Sequence, residues 1–141
     1  MAAFDSVSIP AALLEELIAH AVAEFPLECC GLLAGNICDG IANVTTRFAI
    51  ANELRSETAY RTEPRGMLAA FRAMRESGTE LLAIYHSHPT TEPVPSARDL
   101  ADNTYGESVI HVIVGRVTAE PVVRMWWLSE REFREVAFQT S

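Results

Sequence analysis

The sequence predicts an α/β fold, a mixed β-sheet sandwiched by helices, formed by residues 1–141 as one domain. Three observations lead there. Apolar runs of strand length at 30–37, 41–50, 81–85, 109–114 and 121–128 are rich in Val, Ile and Leu and bounded by Gly, Pro or Asp-Gly. Two other stretches carry apolar residues at helical spacing. Along the chain these segments read helix, two strands, helix, strand, helix, two strands, an order that lays helices on a partly parallel sheet. With 141 residues, 49% of them hydrophobic, the chain can bury a core without covalent staples.

Leu13, Leu14, Leu17, Ile18, Ala21 and Phe25 form the stripe of the first helix, with Pro10 at its first turn and Pro26 stopping it. His20 falls between stripe positions and reads as a rim histidine. Cys30 to Ile37 is the first strand, Asp39-Gly40 a hairpin turn, and Ile41 to Ile50 its antiparallel partner. Ala51 to Glu63 is polar and reads as a loop or a broken strand around Tyr60 and Arg61. Pro64 opens a second helix with Met67, Leu68, Phe71 and Met74 on one face, stopped by Ser77-Gly78. The apolar run 81–85 is a strand, and Ser96 to about Asn103 a third helix. Two strands follow, Val109 to Val114 and Pro121 to Leu128; Trp126 and Trp127 should point to opposite faces of the latter. Glu132 to Phe138 closes the chain as a last strand or a frayed helix. His111 reads as a buried structural histidine.

Charge excludes some functions. The balance is 11 − 19 = −8 with no basic stripe, which argues against nucleic-acid binding. No run approaches membrane-spanning length. Met1-Ala-Ala-Phe-Asp5 has no positive region ahead of an apolar one, so a secretory signal is not expected. Three cysteines, with Cys29 and Cys30 adjacent and Cys38 apart, fit neither a disulfide framework nor a Cys-x-x-Cys zinc site. The expected setting is the reducing cytoplasm, with packed or surface thiols.

The chemistry concentrates between Tyr85 and Leu100. In a strand, His86 and His88 share one face, about 6.6 Å apart at the backbone, while Ser87 points away. Pro89 ends regular pairing just beyond them. Ser96 and Asp99 open the third helix, and Asp99 turns back towards the imidazoles, giving two nitrogens and a carboxylate as a three-ligand set for zinc with a fourth position open. Taken alone, Ser96-Ala-Arg-Asp99 is a capping box and Glu28 a solvated carboxylate between helix and strand.

Together with Glu28 in Glu28-Cys29-Cys30-Gly31-Leu32-Leu33, the pattern His86-Ser87-His88, seven residues, Ser96, two residues, Asp99 resembles the JAMM (MPN-plus) zinc metalloproteases. The flanks Tyr85-His86 and Pro95-Ser96 match as well. The resemblance implies a cytidine-deaminase-like architecture and one Zn2+ per chain, held by His86, His88 and Asp99. It implies Glu28 as general base and acid, Ser96 as a donor to the oxyanion, and Asn52 and Tyr60 as candidates for touching the substrate tail. The compact length resembles prokaryotic members acting on ubiquitin-like or sulfur-carrier proteins. The expected substrate is therefore a C-terminal diglycine tail, paired along an exposed strand edge near the metal. Two rivals are a cell-wall endopeptidase on the same zinc core and a non-catalytic scaffold. A nucleoside deaminase would need His-x-Glu and Pro-Cys-x-x-Cys, which the chain lacks.

Overall fold

The computed structural model describes residues 3–141; the reading of the N-terminus as free of a signal extends to Met1 and Ala2, outside the described residues. The elements are β1 (Ser6–Ile9), α1 (Ala11–Glu24), β2 (Cys30–Cys38), β3 (Ile41–Ile50), α2 (Pro64–Ser77), β4 (Glu80–His88), α3 (Ala97–Ala101), β5 (Ile110–Gly115), β6 (Val122–Leu128) and β7 (Phe133–Thr140). The turn between β2 and β3 places Asp39 at φ 52° and Gly40 at φ 75°, the primed geometry whose twist suits a two-residue hairpin. The closing segment is a strand, which settles the choice left open for Glu132 to Phe138.

The sheet is mixed, as expected, but it is not an open layer. Its strands run β1-β3-β2-β4-β5-β6-β7 and close into a barrel. β1 makes the closure by lying parallel to both β3 and β7. The expected sandwich is thus corrected by one short strand, Ser-Val-Ser-Ile, in which Val7 and Ile9 are buried and the serines are not. Closure also removes the strand edge expected beside the site. β2, β4 and β5 each have a paired neighbour on both sides.

Helices still cover both faces. Leu17 and Ala21 of α1 join a core with Val7, Leu33, Tyr85, Val112 and Trp127. On the other face Ala70 and Met74 of α2 pack on Leu32, Ile50 and Ile84. Trp126 lies on that second face with Ile113 and Leu128, so the two tryptophans do diverge. Burial of these side chains is the main stabilising term, about 1.5–3 kcal/mol for each large aliphatic one. Among the described residues no helix is long and apolar enough to cross a membrane.

Candidate metal centre

Antiparallel pairing of β2 with β4 sets Cys30 opposite His86, so continuing the register brings Glu28 alongside His88. Two hydrogen bonds fix that approach. The Ser87 N–H donates to the Cys29 carbonyl at 3.2 Å, and the Cys29 N–H donates to Ser87 Oγ at 2.8 Å. Ser87 does point away from the histidines, and in doing so it ties the chain carrying Glu28 to the strand carrying both of them. Gly31 permits the close packing beneath, because the Tyr85 ring occupies the space a Cβ would take. Tyr85 in turn is held from below by the Arg47 guanidinium at 2.9 Å and by His20 Nδ1 at 2.7 Å, so His20 is a partner of the core rather than a free rim residue.

Asp99 arrives through the loop after Pro89. Arg116 N–H donates to the Thr91 carbonyl at 2.9 Å, and Val117 N–H to the Pro89 carbonyl at 3.1 Å. Trp126 Nε1 donates to the Pro93 carbonyl at 2.9 Å. Gly115, opposite His88 on β5, lets the loop fold this close, since a Cβ there would collide with Pro93. The loop delivers Ser96 as N-cap of α3, with Ser96 Oγ accepting the Asp99 N–H at 3.1 Å and Asp99 Oδ2 accepting the Ser96 N–H at 2.9 Å. This is the capping box, and it aims the Asp99 carboxylate inward.

His86, His88 and Asp99 form the metal-compatible cluster found among the described residues. His86 Nε2 and His88 Nε2 are 3.1 Å apart, and Asp99 lies 3.3 Å from the first and 3.1 Å from the second. Ligands at zinc distances of about 2.0–2.2 Å in a tetrahedron are separated by roughly 3.3–3.6 Å, so the triangle fits within a few tenths of an ångström. His88 Nδ1 donates to the Glu92 carbonyl at 2.9 Å, which fixes the ring and aims Nε2 at the Asp99 carboxylate and the other imidazole. The donor set is one that could hold a cation such as zinc. Burial raises the cost of the Asp99 charge, yet its hydrogen bonds to His86 and His88 prevail and hold its carboxyl well below the usual carboxylate range. Burial lowers the pKa of His86, against the hydrogen bond and charge of Asp99.

Glu28 is buried, and among the described residues its Oε1 has no hydrogen-bond partner. Burial pushes its carboxyl up to about 7, against the nearby charge of His88. The neighbouring thiols are pushed up by burial too, Cys29 to about 11 and Cys30 to about 12, so both are packed thiols at neutral pH. Tyr60 stacks on His86 with ring centroids 4.5 Å apart and planes at 22°. Beyond it a cavity of about 460 Å³ opens between residues 54–62 and 101–105, with Tyr60, Ile84, Tyr105 and His111 in its lining. His111 stands apart from the triangle, its Nε2 3.3 Å from Asn103 Oδ1.

Residues 10–129 match the family described as prokaryotic homologs of the JAB domain. The chain belongs to this family of compact prokaryotic JAMM/MPN proteins. It is 39% identical over 108 residues to a probable TtuB-protein conjugate cleaving protease of Thermus thermophilus, covering 76% of this chain and 68% of that protein. It is 37% identical over 92 residues to the CysO-cysteine peptidase of Mycobacterium tuberculosis, a match spanning 65% of this chain and 62% of the peptidase. A desampylase of Haloferax volcanii is 29% identical over 93% of this chain and 94% of its own length. The fold is shared with the solution structure of a Desulfitobacterium hafniense protein, at TM-score 0.86 and 27% identity over 96% of this chain and 92% of that one.

The structure brings together the residues singled out in the sequence: His86, His88 and Asp99 converge, Glu28 lies beside them, and Ser96 caps the helix that carries Asp99. Sequence reasoning missed Gly115, the Trp126 anchor and the part played by Ser87. Their signals were present only as a glycine at a strand end, an indole facing outward and a serine between two histidines.

Proposed function

We propose that this protein is a zinc-dependent peptidase or isopeptidase that cleaves after the C-terminal diglycine of a ubiquitin-like or sulfur-carrier protein. The observation that carries the reading is the buried Glu28 carboxylate, one oxygen unpartnered, set beside a His86–His88–Asp99 triangle of zinc dimensions. Relatives named for cleaving TtuB conjugates and CysO-cysteine support the substrate class.

A zinc ion held by His86, His88 and Asp99 supplies Lewis acidity that lowers the pKa of water towards neutrality. The chain's own groups do the rest. Glu28, whose carboxyl is pushed up by burial, takes a proton from the attacking water and gives it to the amine nitrogen as the C–N bond breaks. The products are the carboxylate of the diglycine tail and a free amine. Ser96 Oγ uses a lone pair for the Asp99 N–H, so its own O–H is free to donate to the oxyanion of the tetrahedral intermediate. With no free strand edge at the site, the tail enters through the cleft between residues 54–62 and 101–105. Glycines suit this path because they admit close backbone approach.

The test is to incubate the zinc-loaded protein with a sulfur-carrier protein bearing a C-terminal extension and to follow mass. Loss of the extension after the diglycine, abolished by chelation and by Glu28→Gln, is expected. Intact substrate across a panel of such carriers would overturn the substrate assignment.

A further inference from the structure

Asn52 makes every hydrogen bond its side chain can make. Nδ2 donates to the carbonyls of Glu28 and Ala59, both at 3.0 Å, and Oδ1 accepts from the N–H groups of Leu54 and Arg61, both at 3.1 Å. The backbone reinforces the arrangement: Asn52 bridges Thr62, and the Glu28 N–H donates to the Ser56 carbonyl at 2.8 Å. One side chain therefore gathers the 52–62 segment into a closed loop and fastens it to residue 28. Tyr60, inside that loop, is the ring stacked on His86. Glu28, next to His88 in the continued register, and Tyr60, stacked on His86, are thus referred to a common point. An amide with no donor or acceptor to spare has nothing left to offer a substrate, so the expected contact with the tail passes to other groups.

We propose that Asn52 is a positioning residue, and that it holds the 52–62 loop as a single unit setting both the Glu28 carboxylate and the Tyr60 ring against the metal ligands. This inference rests on the reading of Glu28 as proton carrier and adds the device that places it. Buried and half-buried side-chain amides satisfied on all sides specify one backbone arrangement, because every alternative leaves polar groups unpaired. A misplacement of about 1 Å of a reacting group can cost about a hundredfold in rate.

The test uses Asn52→Ala, which removes all four hydrogen bonds, and Asn52→Asp, which keeps both acceptor contacts and removes both donors. Zinc content, kcat, KM and amide hydrogen exchange are measured on each. Zinc should stay stoichiometric, since Asn52 touches none of His86, His88 or Asp99. The expected loss is about 10- to 100-fold in kcat, with KM changed less than about threefold. Exchange should accelerate at Glu28, Leu54 and Arg61 while β4 and β5 stay protected. Val136→Ala, a buried change on β7 away from the site, serves as the control for stability alone and should keep kcat below its unfolding midpoint. A folded Asn52 variant with kcat within threefold of wild type, or an equal loss in Val136→Ala, overturns the proposal. If wild type cleaves no carrier extension, that failure belongs to the peptidase reading. The exchange data then decide the loop claim alone, and unchanged exchange at Glu28 and Arg61 overturns it.

Discussion

β4 and β5 run side by side and parallel, and each sets a buried histidine on the same face of the sheet: His86 opposite Ile113, and His111 opposite Ile84. Among the described residues only the first belongs to a metal-compatible cluster. His86 meets His88 two residues on and Asp99 from α3, whereas His111 meets the Asn103 amide. Both rings are buried, so burial does not distinguish a ligand from a structural histidine. The distinction is convergence. A carboxylate oxygen and a second imidazole nitrogen within 3.3 Å make a donor set that a cation could share, and a lone neutral amide does not.

The contrast breaks most visibly at the metal. His88→Ala and Asp99→Ala should each lose about one zinc per chain, and with it at least about a thousandfold in cleavage, while the fold is kept. His111→Asn should keep its zinc. Metal analysis of the three purified variants beside wild type checks both halves, and equal zinc loss from His111→Asn would erase the distinction.

Glu28 and Ser96 sharpen it, because the proposed mechanism has them act beside the triangle without belonging to it. Glu28→Gln should retain zinc and lose about 10²–10⁴ in kcat. For Ser96→Ala two effects combine: about 10²–10³ in kcat from the missing oxyanion donor, and about 1 kcal/mol of stability from the missing cap. Ser96→Asp separates them, since aspartate caps a helix well but brings no hydroxyl. Unfolding midpoints beside kcat for the two variants should show stability recovered and rate not. Smaller again is Trp126→Phe, which removes the donor to Pro93 and loosens the loop that delivers Asp99. A drop of about 10- to 100-fold in zinc affinity, by competition with a chelator, is the expected outcome.

The convergence of His86, His88 and Asp99 was legible because it follows local rules: alternation along a strand pairs His86 with His88, and a capping box turns Asp99 back. The barrel was not, for the opposite reason. Ser6–Ile9 is too short to show a period, Pro10 draws the eye to the helix behind it, and its partners lie about 35 and 131 residues further on, at Ile41 and Ala137. A polar loop such as 51–63 has no periodicity either, so the stack of Tyr60 on a histidine 26 positions later left no trace in sequence. Asn52 looked like a turn residue or a substrate contact. The hydrogen bonds that give it a different task run to the backbone of residues up to 24 positions away, and backbone carries no residue code.

The smallest effect concerns His111 itself, and here the sign matters. Burial, aided by the charge of His86 and opposed by Asp99, pulls its pKa from 6.5 down to about 4. Above pH 6.5 the ring is neutral in both the folded and the unfolded chain, and its contribution to stability is fully present. Between pH 6.5 and 4 the unfolded chain takes up a proton that the folded protein refuses, so that contribution is lost as the pH falls through the folded value. The difference corresponds to about 3 kcal/mol. His111→Gln has no proton to gain, so the gap in unfolding free energy between wild type and variant should shift by about that amount in favour of the variant from pH 7 to pH 4. Parallel stability curves for the two proteins over this range would mean that His111 is solvated rather than buried, and that the two strands differ in more than their convergence.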